Sequence, residues 1–140
     1  VAKAAPGTET AARRLLALME AGLTPVISSV GIDDEGRLWN INADDIALAV
    51  ALLLKAPLIF LSDVRGVLNA DKALIRELTP HAAQKLIAEG IISGGMTVKV
   101  NAALAAAAAT KAPVAVASVF DETLTHCLLS GKLPGTVFAA

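Results

Sequence analysis

Ile91-Ile92-Ser93-Gly94-Gly95-Met96-Thr97-Val98-Lys99-Val100-Asn101-Ala102-Ala103-Leu104 is the stretch from which this chain of 140 residues is best read. Two adjacent glycines open a helix, and Lys99 follows one turn inside it. The first amides of a helix have no intrahelical acceptor, and the macrodipole adds partial positive charge at the same end. Gly94 and Gly95 admit a ligand close to the backbone, and Lys99 adds a full charge within reach of a phosphate oxygen. The same spacing also fits an ordinary helix start with a solvated lysine, because Gly-Gly before a helix is common. The flanking sequence has to decide.

Downstream, Ala105-Ala106-Ala107-Ala108-Ala109 prolongs the helix with strong helix formers, and so thin a face lets it lie close to a sheet. Val114-Ala115-Val116-Ala117-Ser118-Val119 reads as a strand, residues 122–129 as a last helix, and Thr136-Val137-Phe138 as a final strand. Upstream, Thr79-Pro80 caps a helix whose apolar stripe is Ala83, Leu86 and Ile87 and which stops at Gly90. Leu58-Ile59-Phe60-Leu61 is a short apolar run of the kind covered on both faces, and it leads into Ser62-Asp63-Val64-Arg65-Gly66-Val67-Leu68.

Further back, Asn42 caps a helix with Asp44 and Asp45 in its first turn and Ile46, Val50, Leu53 and Leu54 on its buried face, ended by Pro57. Pro25-Val26-Ile27-Ser28-Ser29-Val30 reads as a buried strand. Asp33-Asp34-Glu35-Gly36 then makes a tight turn into residues 37–41, closing a hairpin. Ala12, Leu15, Leu16 and Met19 recur at helical spacing ahead of Gly22, a stop signal.

Strands alternating with helices predict an α/β fold, a three-layer αβα arrangement with a mostly parallel central sheet, and the length fits one domain over residues 1–140. Ligands of such sheets sit beyond the carboxyl ends of the strands. Ser28-Ser29, Ser62-Asp63 and Ser118 fall at or near such ends.

Composition narrows the function. Hydrophobic residues make up 55% of the chain and aromatic ones 3%, so aliphatic side chains fill the core and no stacking platform for single-stranded nucleic acid exists. A net charge of −1 with scattered basic residues leaves no footprint for nucleic acid or anionic lipid. The longest strongly apolar run, residues 46–54, is too short to span a membrane. Cys127 is the single cysteine, which rules out an internal disulfide and a cysteine zinc cluster; with only His81 and His126 beside it, no metal site is expected. A cytoplasmic location fits this usage. Residues 1–7 lack the regions of a signal peptide, and without an initiator methionine the chain is expected to be a fragment or an engineered form.

Asn40-Ile41-Asn42-Ala43-Asp44 sets polar side chains around a helix start. Asn42 is most simply the cap, whereas Asn40 could fix a ligand's carboxylate or carbonyl and Asp44 could hold Lys99 in position. A solvated first turn explains Asp44 equally well. The segment from Ser62 to Leu68 turns at glycine, which suits a backbone cradle for ribose or phosphate. Walker A, GxGxxG, nucleophile-elbow and HExxH patterns are absent. His81 reads as surface helix and Cys127 as packing.

Taken together, Asn40-Ile41-Asn42-Ala43-Asp44, Leu61-Ser62-Asp63-Val64-Arg65-Gly66-Val67, the stretch from Gly90 to Leu104, and Gly135-Thr136 resemble, in order and spacing, the acetylglutamate kinase family. That family has the amino acid kinase fold and phosphorylates the side-chain carboxylate of N-acetyl-L-glutamate with MgATP in arginine biosynthesis. The likeness runs from about Gly22 to the end.

The resemblance implies that Lys99 stabilises the transferring phosphoryl group, that Asp44 organises the catalytic lysines and that Asn40 binds the acetylated amino acid. It gives Asp63, Val64, Arg65, Gly66, Val67 and Leu68 to the nucleotide loop, and Ile91, Ile92, Ser93 and Met96 to the adenine and ribose pocket. No metal ligand is implied, because magnesium arrives bound to the nucleotide. Phosphoryl transfer relies on positioning and charge stabilisation, which suits residues of these types.

The departures are equally informative. Such kinases are about twice as long, and their other half carries a Lys-x-Gly-Gly phosphate loop, a Gly-rich substrate loop and a substrate-gripping arginine, none of which is in this sequence. Gly94 stands where the family more often has an acidic residue. The chain therefore resembles the isolated carboxy-terminal, nucleotide-binding half, natural or redesigned to stand alone. Three readings stay open: a half-enzyme that acts only when complemented, a weak ATP or ADP binder, and a scaffold that folds but binds nothing well. Acetylglutamate would bind only with the missing half. No turnover is expected of the chain alone, since one lost charge-stabilising donor costs about a hundredfold in rate, and the surface left uncovered predicts self-association, with Trp39 as one marker.

Overall fold

The computed structural model describes residues 8–139. The stretch 1–7, read above for a signal peptide, lies outside the described residues. The chain divides into two compact units, Val1–Ala56 and Pro57–Ala140.

In the first unit, α1 (Glu9–Glu20) starts where the Thr8 hydroxyl accepts the Ala11 amide. It ends as Gly22 and Leu23 donate to the carbonyls of Met19 and Leu18, at 2.9 and 3.0 Å, the paired bonds of a Schellman stop. β1 (Val30–Ile32) and β2 (Leu38–Asn40) form the expected antiparallel hairpin. Its turn is closed by the Gly36 amide on the Asp33 carbonyl, 3.0 Å, and the Asp33 amide on the Arg37 carbonyl, 3.1 Å. α2 (Ala43–Leu54) is capped by Asn42, whose side chain accepts the Asp44 amide at 2.8 Å, and α1 packs on α2.

Three expectations need correction here. The buried strand over Pro25-Val26-Ile27-Ser28-Ser29-Val30 does not form: the strand begins only at Val30, and Val26 is 94% exposed. An apolar run becomes a buried strand only beside partner strands, and the only ladder of this unit's described residues is the three-residue pairing of β1 with β2. Ser28 and Ser29 consequently precede a strand instead of ending one. α2 stops at Leu54 because Lys55 turns left-handed, φ 51°, before Pro57 is reached. On its apolar face only Ala51 is fully buried; Ile46, Val50, Leu53 and Leu54 are half-buried.

The second unit holds an α/β fold with a mostly parallel sheet. β3 (Leu58–Ser62), β4 (Glu77–Leu78), α3 (Pro80–Ala88), α4 (Gly95–Thr110), β5 (Val114–Ser118), α5 (Leu124–Leu129) and β6 (Thr136–Phe138) follow in order. The sheet order is β3-β5-β6-β4, with β3 parallel to β5, β4 parallel to β6 and β5 antiparallel to β6. Connection length explains the exception. The 16 residues of α4 span about 24 Å, enough to carry the chain back along the sheet so that β5 runs parallel to β3. The six residues of α5 span only about 9 Å, less than a five-residue strand of about 16 Å, so β6 enters from the end at which β5 leaves.

β5 is buried along its whole length, while β3 lies at the edge and leaves Leu61 47% exposed. Coverage on both faces, expected for Leu58 to Leu61, is thus lost at Leu61. α4 packs on β5 and β6 through Val100, Ala103, Ala106 and Ala107, all fully buried. Fully burying Val114, Val116 and Phe138 contributes about 2 kcal/mol apiece. The two-residue β4 carried no apolar signal, and α5 begins two residues later than its pattern suggested, because Asp121 and Thr123 form a turn first.

Candidate functional site

Ser62 and Ser118 are paired in register at the carboxyl ends of the parallel strands β3 and β5. Each serine oxygen accepts the amide two residues on, that of Val64 at 3.2 Å and that of Phe120 at 3.1 Å. Both chains therefore turn sharply off the sheet at the same end. The stretch joining β3 to β4 starts at this end.

Gly66 makes the first of these turns at φ 132°, a conformation closed to side chains, and a Cβ there would sit 2.6 Å from the Thr136 hydroxyl oxygen. Beyond it Val67 and Ile75 exchange a backbone bond, the Ile75 amide donating at 2.8 Å, and Leu68 bridges Leu74. After α3, the amides of Ile91 and Ile92 both donate to the Leu86 carbonyl. This folds the following segment against the helix end.

These two segments, well separated in sequence, line one open pocket of about 270 Å³ with Val64, Arg65, Gly66, Val67, Leu68, Ile91, Ile92 and Met96. The structure thereby brings together eight of the ten residues expected at a nucleotide site. Val67 and Ile92 form its rigid floor, 1% and 2% exposed. Asp63 and Ser93, the other two, are exposed and outside the lining, because the turns that deliver their neighbours point them to solvent.

α4 starts at the pocket. Gly94 takes φ 57° with no side-chain cap, so the helix end is backbone alone. The amides of Met96 and Thr97 already donate to the carbonyls of Ser93 and Gly94, each at 3.2 Å; the tight first turn leaves fewer open donors than a simple helix start would. Met96 lines the pocket, and half-buried Lys99 is its neighbour three residues on, on the same side of the helix. Asn40, at the end of β2, and Asp44, in the first turn of α2, are exposed residues of the first unit.

Asp121, a residue the sequence did not single out, stands just past β5. Its carboxylate accepts the Thr123 hydroxyl at 2.7 Å and the Thr123 amide at 2.9 Å. These bonds, the hydroxyl first, with the charges of Arg65 and Arg76 adding to them, hold the carboxyl below its usual range. Arg65, in the pocket wall, thus carries its charge into a field shared with an ionised aspartate. His81 is exposed on α3 and Cys127 half-buried on α5. No helix of the described residues is long and apolar enough to cross a membrane.

Residues 3–118 match the amino acid kinase family. The acetylglutamate kinase of Moritella profunda is 48% identical over 122 residues, 87% of this chain and 46% of that protein. That of Yersinia pestis (strain Pestoides F) is 48% identical over 136 residues, 97% of this chain and 52% of the other. The chain spans about half the length of the curated relatives it matches. Among solved structures, the N-acetylglutamate synthase from Neisseria gonorrhoeae complexed with coenzyme A and N-acetyl-glutamate has a TM-score of 0.76 at 23% identity, over 92% of this chain and 30% of that one. At that identity the likeness is one of fold.

Proposed function

This chain belongs to the amino acid kinase family, and from that premise we propose that it is the nucleotide-binding half of an acetylglutamate kinase, a cytoplasmic enzyme of arginine biosynthesis that is inactive without its other half. The pocket carries this reading: two segments distant in the sequence converge on one apolar cleft, and one of them leaves the carboxyl end of β3, the end of the strands at which α/β sheets bind ligands. Ile91, Ile92, Met96, Val64 and Leu68 offer an aliphatic slot for a base. Arg65, in the pocket wall, and Lys99, one turn into α4, supply positive charge.

In this reading MgATP is the phosphoryl donor, with magnesium held through its phosphates, and the side-chain carboxylate of N-acetyl-L-glutamate is the acceptor. Lys99 steadies negative charge on the transferring group, from a helix whose dipole acts in the same sense. Asp44, as organiser of the catalytic lysines, and Asn40, as binder of the acetylated amino acid, keep those roles as proposals for the complete kinase. Asp63 and Ser93 are proposed as rim contacts, outside the apolar slot.

Calorimetric titration with MgADP and MgATP, for the wild type and Lys99→Ala, tests the reading. Saturable binding weakened about tenfold or more by Lys99→Ala is expected, the worth of one charge-assisted contact. A coupled assay with acetylglutamate should show no ADP release from the chain alone. No heat from a chain shown folded by circular dichroism would leave the scaffold reading instead.

A further inference from the structure

Thr136 is wholly buried, 0% exposed, on the strand that lies between β5 and β4. A buried hydroxyl needs partners, and this one has two, far away in sequence. It accepts the Val67 amide at 2.8 Å and donates to the Ile75 carbonyl at 2.6 Å. The Ile75 amide in turn donates to the Val67 carbonyl at 2.8 Å. Three hydrogen bonds thus tie Val67, Ile75 and Thr136 together, and the two that meet at the hydroxyl polarise one another. Gly66 packs against the same hydroxyl, with no room for a side chain.

We propose that Thr136 is the positioning residue of the pocket: its hydroxyl sets the shape of the segment that presents Gly66, Val67 and Leu68 to a nucleotide. The proposal rests on the nucleotide-binding reading above. Its physical basis is that β6 is anchored by the fully buried β5, whereas the segment from Asn69 to Ala73 is tied mainly to itself. Lys72 donates to the Asn69 carbonyl, and the Asn69 side chain accepts the Ala73 amide. The Thr136 hydroxyl therefore passes the rigidity of the sheet to the pocket floor.

Thr136→Val keeps the shape and removes both bonds; Thr136→Ser keeps the hydroxyl. Amide hydrogen exchange of the whole chain, read residue by residue, is paired with MgADP titration. In Thr136→Val, exchange at Val67 and Ile75 should accelerate about tenfold or more while the β5 amides keep their protection, MgADP binding should weaken about tenfold, and Thr136→Ser should restore both. Unchanged exchange at Val67 and Ile75, or an equal loss across β5, would overturn the proposal. Should Thr136→Val not fold, Thr136→Ala takes its place in both readouts. If the wild type binds no MgADP, the nucleotide reading fails, and with it the role of Thr136 toward a nucleotide, even where exchange shows the three bonds to be intact.

Discussion

Asp33 shows how much one side chain can organise. One carboxylate oxygen accepts the amides of Arg37 and Glu35, at 2.8 and 3.1 Å, and the other accepts Arg37 Nε and Trp39 Nε1, both at 2.8 Å. The Arg37 guanidinium also pairs with Glu35 and lies 5.9 Å from the centroid of the Trp39 ring. The indole bond foremost, with the guanidinium and the two amides, outweighs desolvation and holds the Asp33 carboxyl below its usual value. A depressed carboxylate stabilises the fold above its unfolded pKa and loses that contribution as the pH falls through the folded one. Trp39 is the single tryptophan, so its emission reports the hairpin directly. It should stay constant down to about pH 4 and change only below the ordinary aspartate value of about 3.9. Asp33→Asn should show the changed emission already at neutral pH, with the acid step gone; a step at the same pH in both proteins would dismiss Asp33 as its origin.

Among the elements, the helix ends divide into two kinds. α1 and α3 stop at glycine, whereas α2 and α4 stop at Lys55 and Lys111, left-handed at φ 51° and 52°. A side chain in that region costs about 1–2 kcal/mol, partly offset because glycine has more freedom to lose on folding. Lys55→Gly and Lys111→Gly should each raise stability by about 0.5–1 kcal/mol, read as a higher urea midpoint at unchanged slope. A fall in midpoint would mean that the lysine side chains hold contacts worth more than the strain. The strands that follow the two caps are β3 and β5, which pair in parallel.

For the whole molecule, the apolar surface is the dominant physical fact. Val26, Ile32, Leu38, Phe120 and Leu129 are all more than two-thirds exposed, and Ile32 faces Leu38 across the hairpin. Apolar patches of this kind associate in water. We expect sedimentation velocity to show mass rising with concentration, and Ile32→Thr with Leu38→Thr to lower it. A monomer over a wide concentration range would count against this. The proposal that residues 1–140 make one domain is tested in the same samples, since one domain unfolds in a single transition shared by Trp39 emission and circular dichroism.

Local physics was legible without coordinates. Periodicity and capping chemistry located the helices: Asn42 and Thr79 cap as read, and the alanines of α4 bring it close to the sheet. The likeness of a few spaced motifs pointed to the family and to eight residues that line one pocket. Such signals depend on a residue and its near neighbours, and the sequence holds those. What it could not fix depends on which strand has a partner. The run from Pro25 to Val30 looked like a core strand and is not one, and Leu61, read as part of a run covered on both faces, is 47% exposed. Burial is a property of neighbours brought from far along the chain. For the same reason the sequence could mark Gly135-Thr136 as a motif, but only the tertiary structure could show what Thr136 holds, because its hydroxyl meets partners 69 and 61 residues away.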